Sequence, residues 1–243
     1  MKIALAQTSP VKGNIEANLL RHADFTIAAA DAGAQLILFS ELSLTGYEPE
    51  LADGLATTVN DERLAPLAYL SQQKNITICA GLPTRQPNGV CISTLAFYPN
   101  GERRLFSKQF LHPDELPFFT PAEAGTRILD RQNSVGLAIC YELSVEAQLQ
   151  QLLAEGIKIY VAAVAKSAAG MNVAAQRLAI IAKTHHLPAL LVNCVGEYDN
   201  TLCSGGSAVW DATGCLQAQL SSTESMLLWD STTGATACQS VAG

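Results

Sequence analysis

Residues 135–142 read VGLAICYE, an apolar run that ends on a cysteine followed by two polar residues. Such a run is typical of a buried β-strand, and Cys140 stands at its end. Two other strand-like runs end in the same way, LILFSE on Glu41 and RLFSK on Lys108. Because a strand end holds a side chain rigidly while the following loop leaves it accessible, these three residues are candidates for one functional site.

Strand and helix patterns alternate on either side of these runs through the first two thirds of the chain. The segment between Asn14 and Gly33 has helical apolar spacing, with Asn14 suited to cap its start and Gly33 to end it. Further helices are predicted near residues 62–74, 144–155 and 172–186.

The apolar strands at residues 35–39 and 157–165 indicate burial on both faces, so we expect a layer covering each side of the sheets. The final third changes to short strands and turns, of which residues 204–211 are an example. No repeat, low-complexity block or linker interrupts the chain. We therefore predict a single α+β domain over residues 1–243, with a loosely held tail from Ser231 because that tail is small and polar.

The composition excludes several classes of protein. Hydrophobic residues make up 49% of the 243 residues and charged residues 15%, which is too apolar for a disordered chain and suggests a homo-oligomer. The net charge is −7, and no basic cluster exceeds Arg103-Arg104. We therefore expect no nucleic acid and no anionic membrane surface among the partners.

The cysteines and histidines indicate the compartment and argue against a metal. Seven cysteines occur without a C-x-x-C pair, which predicts free thiols in a reducing compartment. The N-terminal apolar run, residues 3–8, is too short for a signal peptide or a membrane span, so we expect a cytoplasmic location. His185-His186 lack nearby acidic partners, which favours a helix end over a metal site.

Taken singly, Glu41, Lys108 and Cys140 have ordinary interpretations as a loop residue, a surface lysine and a buried thiol. Together they supply the parts of a nucleophilic site. A carboxylate can take the thiol proton and later give it to a leaving amine, and an ammonium group can stabilise an oxyanion. A Cys-His pair is less well served, because His112 is the only histidine in a predicted loop.

Three segments contain these three residues: FSELSLTGY (39–47), FSKQFLHPDELPFFTPAEAG (106–125) and VGLAICYE (135–142). In their order and spacing they resemble the nitrilase superfamily of carbon–nitrogen hydrolases, whose signature is a Glu-Lys-Cys triad. The segment CSGGSAVWDATG (203–214) is similar to the late hairpin of that family. The resemblance extends from residue 1 to about residue 230.

The resemblance implies a four-layer αββα sandwich and an amidase-type hydrolase that acts on a small amide. It implies a homodimer and neither a metal nor an organic cofactor. By the motifs, Glu41 is the general base, Lys108 the oxyanion donor and Cys140 the nucleophile that forms a thioester. Glu115 matches a second glutamate that orients Lys108 and the substrate.

Other motif residues bear on the substrate. We expect three of them to contact it: Tyr47, Tyr141 and Glu142. The sequence departs from the family pattern at Ser40, where a proline is usual, and at Phe110, where a histidine is frequent. The Phe-Pro that often follows the nucleophile is missing, which leaves the role of Glu146 open.

The pocket decides the substrate, and several activities therefore remain as alternatives. We prefer an ω-amidase or aliphatic amidase. An N-carbamoyl hydrolase or a nitrilase would use the same triad. A non-catalytic small-molecule binder on the same fold is the alternative from another class, against which the presence of all three triad residues argues.

Overall fold

The computed structural model describes residues 1–199 and 201–241. Its strands are β1 (Lys2–Gln7), β2 (Leu36–Phe39), β3 (Thr77–Gln86), β4 (Gly89–Phe97), β5 (Arg103–Ser107), β6 (Ile128–Asp130), β7 (Val135–Ile139), β8 (Ile159–Ala163), β9 (Ala189–Val192), β10 (Val195–Tyr198), β11 (Thr201–Ser204), β12 (Ala208–Trp210), β13 (Leu216–Gln219), β14 (Ser225–Asp230) and β15 (Thr236–Gln239). Its α-helices are α1 (Ile15–Asp31), α2 (Ala52–Leu55), α3 (Ala65–Lys74), α4 (Glu146–Ala154) and α5 (Ala168–His185).

The strands form two large sheets. Within the described residues, one sheet has seven strands in the order β15-β14-β1-β2-β3-β4-β5, and the other has six in the order β13-β12-β9-β8-β7-β6. The central strands are parallel, as in β1-β2-β3 and β7-β8-β9, and antiparallel strands extend both sheets outward. Strands β10 and β11 form a separate hairpin.

The two large sheets pack face to face, and the alternation along β1 shows how the core is divided. Ile3 and Leu5 point into the core shared with the second sheet, whereas Ala4 and Ala6 point to the other side, where the helices α1 and α3 lie. Each fully buried aliphatic side chain contributes about 1.5–3 kcal/mol relative to an exposed one. A one-residue slip would exchange the two faces, so the buried pattern fixes the register of β1.

Helices cover the outer face of each sheet. Leu149 and Leu152 of α4 and Leu178 and Ile181 of α5 are buried against the second sheet. Helix α1 begins at the predicted cap, since Asn14 Oδ1 accepts the Ala17 N–H at 3.0 Å. The layers therefore run helix, sheet, sheet, helix, and the predicted αββα sandwich is confirmed.

Helix α5 and the β10–β11 hairpin differ from the sequence predictions. Helix α5 begins at Ala168 instead of residue 172, because Ser167 caps it with its side-chain oxygen. The hairpin was not predicted because its partly exposed, polar residues give no clear alternation.

The C-terminal tail contains a strand where a loose segment was expected. Strand β15 pairs with β14 at the edge of the seven-stranded sheet, although all four of its residues are exposed. Backbone hydrogen bonds hold this strand, and composition alone does not reveal them. Residues 242–243 of the expected tail lie outside the described residues. Among the helices that the structure describes, none is both long and apolar enough to cross a membrane.

Candidate active site

The end of β7 leads Cys140 into a tight turn. Its φ of 45° lies in the left-handed region, which a non-glycine residue seldom adopts. Backbone strain of this kind costs about 1–3 kcal/mol and is concentrated at functional sites. The thiol is buried, with 9% of the residue exposed, at the carboxyl edge of the parallel strands β7 and β8.

Glu41 lies in the turn that follows β2, and the neighbouring strand β3 positions that turn. A Cβ atom at Gly81 would lie 2.4 Å from the backbone N of Leu42 and 2.5 Å from the carbonyl O of Ser40. The Gly81 N–H donates to Ser43 Oγ at 3.0 Å. The turn that carries Glu41 therefore packs directly on the backbone of β3, at a position where only glycine fits.

Lys108 follows β5, and its backbone is fixed on both sides. Its N–H donates to the Ile92 carbonyl at 2.8 Å, and its carbonyl accepts the Ala122 N–H at 2.9 Å. The side chain is fully buried. A buried ammonium group requires compensation, and two carboxylates provide it.

The Lys108 ammonium bridges the two predicted glutamates. Its Nζ lies 2.8 Å from Glu41 Oε1 and 2.6 Å from Glu115 Oε1. Glu115 Oε1 also accepts from the Tyr47 hydroxyl at 2.9 Å, and Glu115 Oε2 accepts the His112 N–H at 2.7 Å. The structure thus brings Glu41, Glu115 and Tyr47 together around the Lys108 ammonium group.

The second carboxylate oxygen of Glu41 remains available to accept a proton. Glu41 Oε2 is buried and has no hydrogen-bond partner of regular geometry within the described residues. The Cys140 thiol is near enough to interact directly with this carboxylate. A buried acceptor without a regular partner is uncommon, and the carboxylate that carries it also interacts with the predicted nucleophile.

Burial sets the protonation states of these groups. It raises the pKa of the Cys140 thiol to about 12, an effect that Glu41 increases and that Lys166 and Lys108 oppose. Burial also raises the pKa of Glu41, while Lys108 acts in the opposite direction. For Lys108, burial alone would lower the pKa, but Glu41, Cys140 and Glu115 carry it above its ordinary value. The resting site therefore holds a neutral thiol, a charged lysine and a carboxyl group that binds protons more readily than an exposed glutamate.

Glu142 was predicted to contact the substrate, and in the structure both of its carboxylate oxygens are bound by protein groups. It is fully buried and pairs with the buried Arg127. Its Oε2 accepts the Ile139 N–H at 2.9 Å, and its Oε1 accepts the Gln109 N–H at 2.7 Å. Glu142 therefore joins the residue before the nucleophile to the residue after Lys108, which is a positioning role.

Two further residues from the sequence analysis, Tyr141 and Glu146, contact other parts of the protein. Tyr141 is half-buried and packs edge-on against His112, with ring centroids 5.1 Å apart. Glu146 lies on α4 and forms a partly exposed ion pair with Arg177 at 2.6 Å. Glu146 is thus part of a contact between two helices.

Sequence reasoning missed several residues around the site. Arg127 pairs with Glu142, and Tyr198 of β10 packs edge-on against Tyr47 at 5.6 Å between ring centroids. Asn193 is fully buried directly after β9. A buried amide at the end of the apolar run LPALLVN was the available signal, since it has the same form as the strand ends that revealed the triad.

A comparison with known protein families identifies the family. The family model described as "Carbon-nitrogen hydrolase" matches residues 2–232. This chain belongs to the carbon–nitrogen hydrolase family. The resemblance predicted from the motifs is confirmed.

Curated relatives of this hydrolase include several activities. An "(R)-stereoselective amidase" of Pseudomonas sp is 28% identical over 219 residues, covering 88% of this chain and 78% of the relative. A "Glutamine-dependent NAD(+) synthetase" of Thermotoga maritima is 25% identical over 224 residues, covering 88% of this chain but only 39% of the relative. "Nitrilase 3" of Arabidopsis thaliana is 24% identical, covering 88% of this chain and 73% of the relative.

Solved structures share the fold of this hydrolase. A variant of the amidase from Nesterenkonia sp. AN1, in complex with butyramide, matches with a TM-score of 0.85 at 23% identity, covering 94% of this chain and 89% of the amidase. Another structure of that amidase, with a TM-score of 0.84 at 23% identity, shows the acetamide moiety of fluoroacetamide covalently added at its active-site cysteine.

Proposed function

We propose that this hydrolase cleaves the carbon–nitrogen bond of a small amide through a thioester on Cys140. Glu41 acts as the general base and acid, and Lys108 stabilises the oxyanion. The observation that carries this proposal is the interaction of the Glu41 carboxylate with the Cys140 thiol, together with the state of its two oxygens: Oε1 is held by Lys108, and Oε2 has no regular hydrogen-bond partner within the described residues. A carboxylate fixed through one oxygen can take a proton on the other without rearranging.

The first half-reaction forms the thioester. Cys140 Sγ attacks the carbonyl carbon while its proton passes to Glu41, because a thiol with a pKa of about 12 does not ionise beforehand. Lys108 Nζ and the Tyr141 N–H stabilise the negative oxygen, and losing one such donor typically costs about 3 kcal/mol. Glu41 then gives the proton to the nitrogen, the carbon–nitrogen bond breaks, and ammonia or an amine leaves.

The second half-reaction restores the enzyme. Glu41 takes a proton from water as the oxygen attacks the thioester carbon, the carbon–sulfur bond breaks, and the proton returns to Cys140. The net change is amide plus water to carboxylic acid plus ammonia or amine. Glu115 orients Lys108 through the 2.6 Å contact and holds Tyr47 at the edge of the site.

An amide is favoured over a nitrile because the amidase of Pseudomonas sp is matched at 28% identity and Nitrilase 3 of Arabidopsis thaliana at 24%, each over 88% of this chain. The amidase of Pseudomonas sp is a relative that this chain covers over most of its length. The glutamine-dependent relatives are consistent with this substrate class, since the side chain of glutamine ends in a primary amide. An ω-amidase or aliphatic amidase is therefore our preferred activity.

A cytoplasmic homodimer is part of the proposal. All seven cysteines are free thiols, as a reducing compartment favours. Val173 and Ile180 lie seven residues apart on α5, and they are 65% and 56% exposed. These positions fall on one face of a helix, and a second copy of the chain would cover them. Light scattering of the wild type and of Val173→Glu tests this interface, and a monomeric wild type would reject it.

Ammonia release from a panel of primary amides, N-carbamoyl compounds and nitriles tests the activity. Cys140→Ala is the inactive variant, and Cys215→Ala, which removes an exposed thiol, is the matched control. We expect release from amides by the wild type and Cys215→Ala but not by Cys140→Ala. Release only from N-carbamoyl compounds or only from nitriles would assign that class as the substrate in place of amides. No release, together with slow and uniform alkylation of all thiols by iodoacetamide, would favour a non-catalytic binder.

A further inference from the structure

Two cysteines other than Cys140 lie in direct contact with each other. Cys194 follows β9, and Cys203 lies in β11. The Cys194 thiol donates a hydrogen bond to the Cys203 sulfur, and the two sulfur atoms are 3.0 Å apart. A disulfide bond is about 2.05 Å long, so these atoms need to approach by only about 1 Å to form one. No other two cysteines within residues 1–199 and 201–241 are joined by a hydrogen bond.

Backbone contacts hold both residues in this arrangement. The register of the β10–β11 hairpin places Cys203 opposite Gly196, two residues after Cys194. The Gly205 N–H donates to the Cys194 carbonyl at 2.9 Å, which extends the contact between the two segments to Cys194. Side chains two residues apart along an extended chain point to the same face, so both thiols are directed to one side of the hairpin.

The two thiols belong to a small buried cluster at the wall of the candidate active site. Ala165 packs with them, and the rings of Tyr47 and Tyr198 pack against the cluster. The Tyr47 hydroxyl in turn donates to Glu115 at 2.9 Å. A covalent bond between the two sulfurs would therefore restrain the hairpin that carries Tyr198, next to a residue that contacts the proposed catalytic machinery.

Burial determines which oxidants can act on this pair. Cys194 is 4% exposed and Cys203 is 2% exposed, which favours a small neutral oxidant such as hydrogen peroxide over a larger one. The hydrogen bond from Cys194, together with burial, raises the pKa of Cys203 above its ordinary value. Thiolate is therefore scarce, and the first oxidation step is slow. The second step is fast, because the partner sulfur is already in contact.

We propose that Cys194 and Cys203 form an oxidative modification site, at which hydrogen peroxide converts the two thiols into a disulfide that a thiol reductant opens again. One sulfur attacks a peroxide oxygen, the O–O bond breaks, and the thiol proton leaves with hydroxide as water. The other sulfur then attacks the sulfenic sulfur, the S–S bond forms, and the S–O bond breaks with release of a second water. The sulfurs are oxidised and the peroxide is reduced.

This inference goes beyond the proposed hydrolysis and does not depend on it. Disulfides in cytosolic proteins are usually transient, and many of them sense oxidants. A pair that closes and reopens is therefore compatible with the proposed cytoplasmic location.

The first test maps the bond in Cys140→Ala, so that oxidation of the proposed nucleophile does not contribute. After hydrogen peroxide treatment of the folded protein, we expect the intact mass to fall by about 2 Da, the two hydrogens lost in a disulfide. Free thiols are then alkylated and the chain is cleaved after glutamate residues, of which Glu197 separates the two cysteines. The two peptides should stay joined until dithiothreitol is added. Separate peptides, or oxygen added to either sulfur without a bond, would overturn the inference.

Matched variants identify the bonded pair. Cys215 lies on the same glutamate-cleaved peptide as Cys203, and it is exposed. Cys140→Ala/Cys215→Ala should therefore keep the joined peptides, whereas Cys140→Ala/Cys194→Ala should lose them. Joined peptides that disappear with Cys215→Ala would assign the bond to Cys215 and reject the proposed pair.

The second test measures urea unfolding of Cys140→Ala before and after oxidation. A disulfide that fits the native backbone restricts the unfolded chain, so the urea midpoint should rise and dithiothreitol should return it to its starting value. Oxidised Cys140→Ala/Cys194→Ala is the control for other side chains that peroxide modifies, and its midpoint should not rise. Equal shifts in the two proteins would contradict a bond that the folded backbone accommodates.

Discussion

Two buried carboxylates, Glu41 and Glu142, lie near strand ends on opposite sheets, and each is paired with a buried cation. Glu142 has both oxygens occupied, by Arg127 and by two backbone N–H groups. Glu41 has one oxygen held by Lys108, and its other oxygen has no regular partner in the part of the chain that the structure describes. The two residues have similar burial and the same charge, and they differ in how completely their hydrogen bonds are satisfied.

This difference separates positioning from chemistry. A fully satisfied buried carboxylate holds its neighbours in place, because any movement would leave a buried charge unpaired. A partly satisfied carboxylate keeps an acceptor available for a proton, at some expense in stability. The substitutions that follow test this distinction.

The largest expected effect is on turnover in Glu41→Gln. The amide keeps the shape of the side chain but cannot accept the Cys140 proton, so kcat should fall roughly 10²- to 10⁴-fold. Relative to the wild type, the free energy of unfolding of Glu41→Gln should be unchanged or higher once the pH rises above about 4.5. Burial raises the pKa of the native Glu41 carboxyl, so ionising it costs the wild type stability that the variant keeps. Steady-state kinetics and urea unfolding measure both quantities. Glu62→Gln, at an exposed position, is the control, and full turnover in Glu41→Gln would remove Glu41 as the base.

Removing the shared cation should reduce both turnover and stability. Lys108→Met takes away the oxyanion donor, so kcat should fall roughly 10²- to 10³-fold. It also leaves Glu41 and Glu115 buried together without compensation, which should destabilise the fold by about 3–5 kcal/mol at neutral pH. The double variant Lys108→Met/Glu41→Gln removes one of those charges and should regain part of the stability in urea unfolding. No such recovery would contradict the bridging role of Lys108.

Glu142→Gln should affect stability more than chemistry. Arg127 would be left buried without its counter-charge, which should cost about 3–5 kcal/mol in urea unfolding. The folded fraction should lose less than about tenfold in kcat, since chemistry at Glu41 remains. Glu146→Gln breaks the partly exposed pair with Arg177 and should cost less than about 1 kcal/mol. A stable Glu142→Gln variant as inactive as Glu41→Gln would instead support the predicted contact of Glu142 with the substrate.

The last prediction concerns acid stability beneath the Glu41 turn. His22 is buried, stacks on Phe39 at 3.8 Å and bonds Ser43 Oγ at 2.9 Å, and burial lowers its pKa to about 3. The unfolded chain takes up the proton near pH 6.5, so stability present above that pH is lost as the pH falls toward 3, by about 1.4 kcal/mol per unit. Urea unfolding between pH 4 and 7 should show a steeper loss in the wild type than in His22→Gln. Equal slopes would contradict this.

Local sequence patterns were enough to predict the fold and the triad. A strand end marked each of Glu41, Lys108 and Cys140, and the spacing of motifs indicated Glu115. The role of Glu142 depends on Arg127 and on the backbone of Gln109, which come together only in the folded chain, so no local pattern predicted it. Gly81 could have been recognised, because a glycine inside a strand often marks a close backbone approach.

The left-handed backbone at Cys140 puts stability and activity in conflict at one residue. A glycine there would adopt a φ of 45° without the steric penalty of a side chain, which is about 1–2 kcal/mol. A library of variants selected for heat resistance alone would therefore favour glycine at this position and lose the nucleophile. Directed evolution of this chain needs a selection for turnover in every round, because the most stable descendants would be inactive.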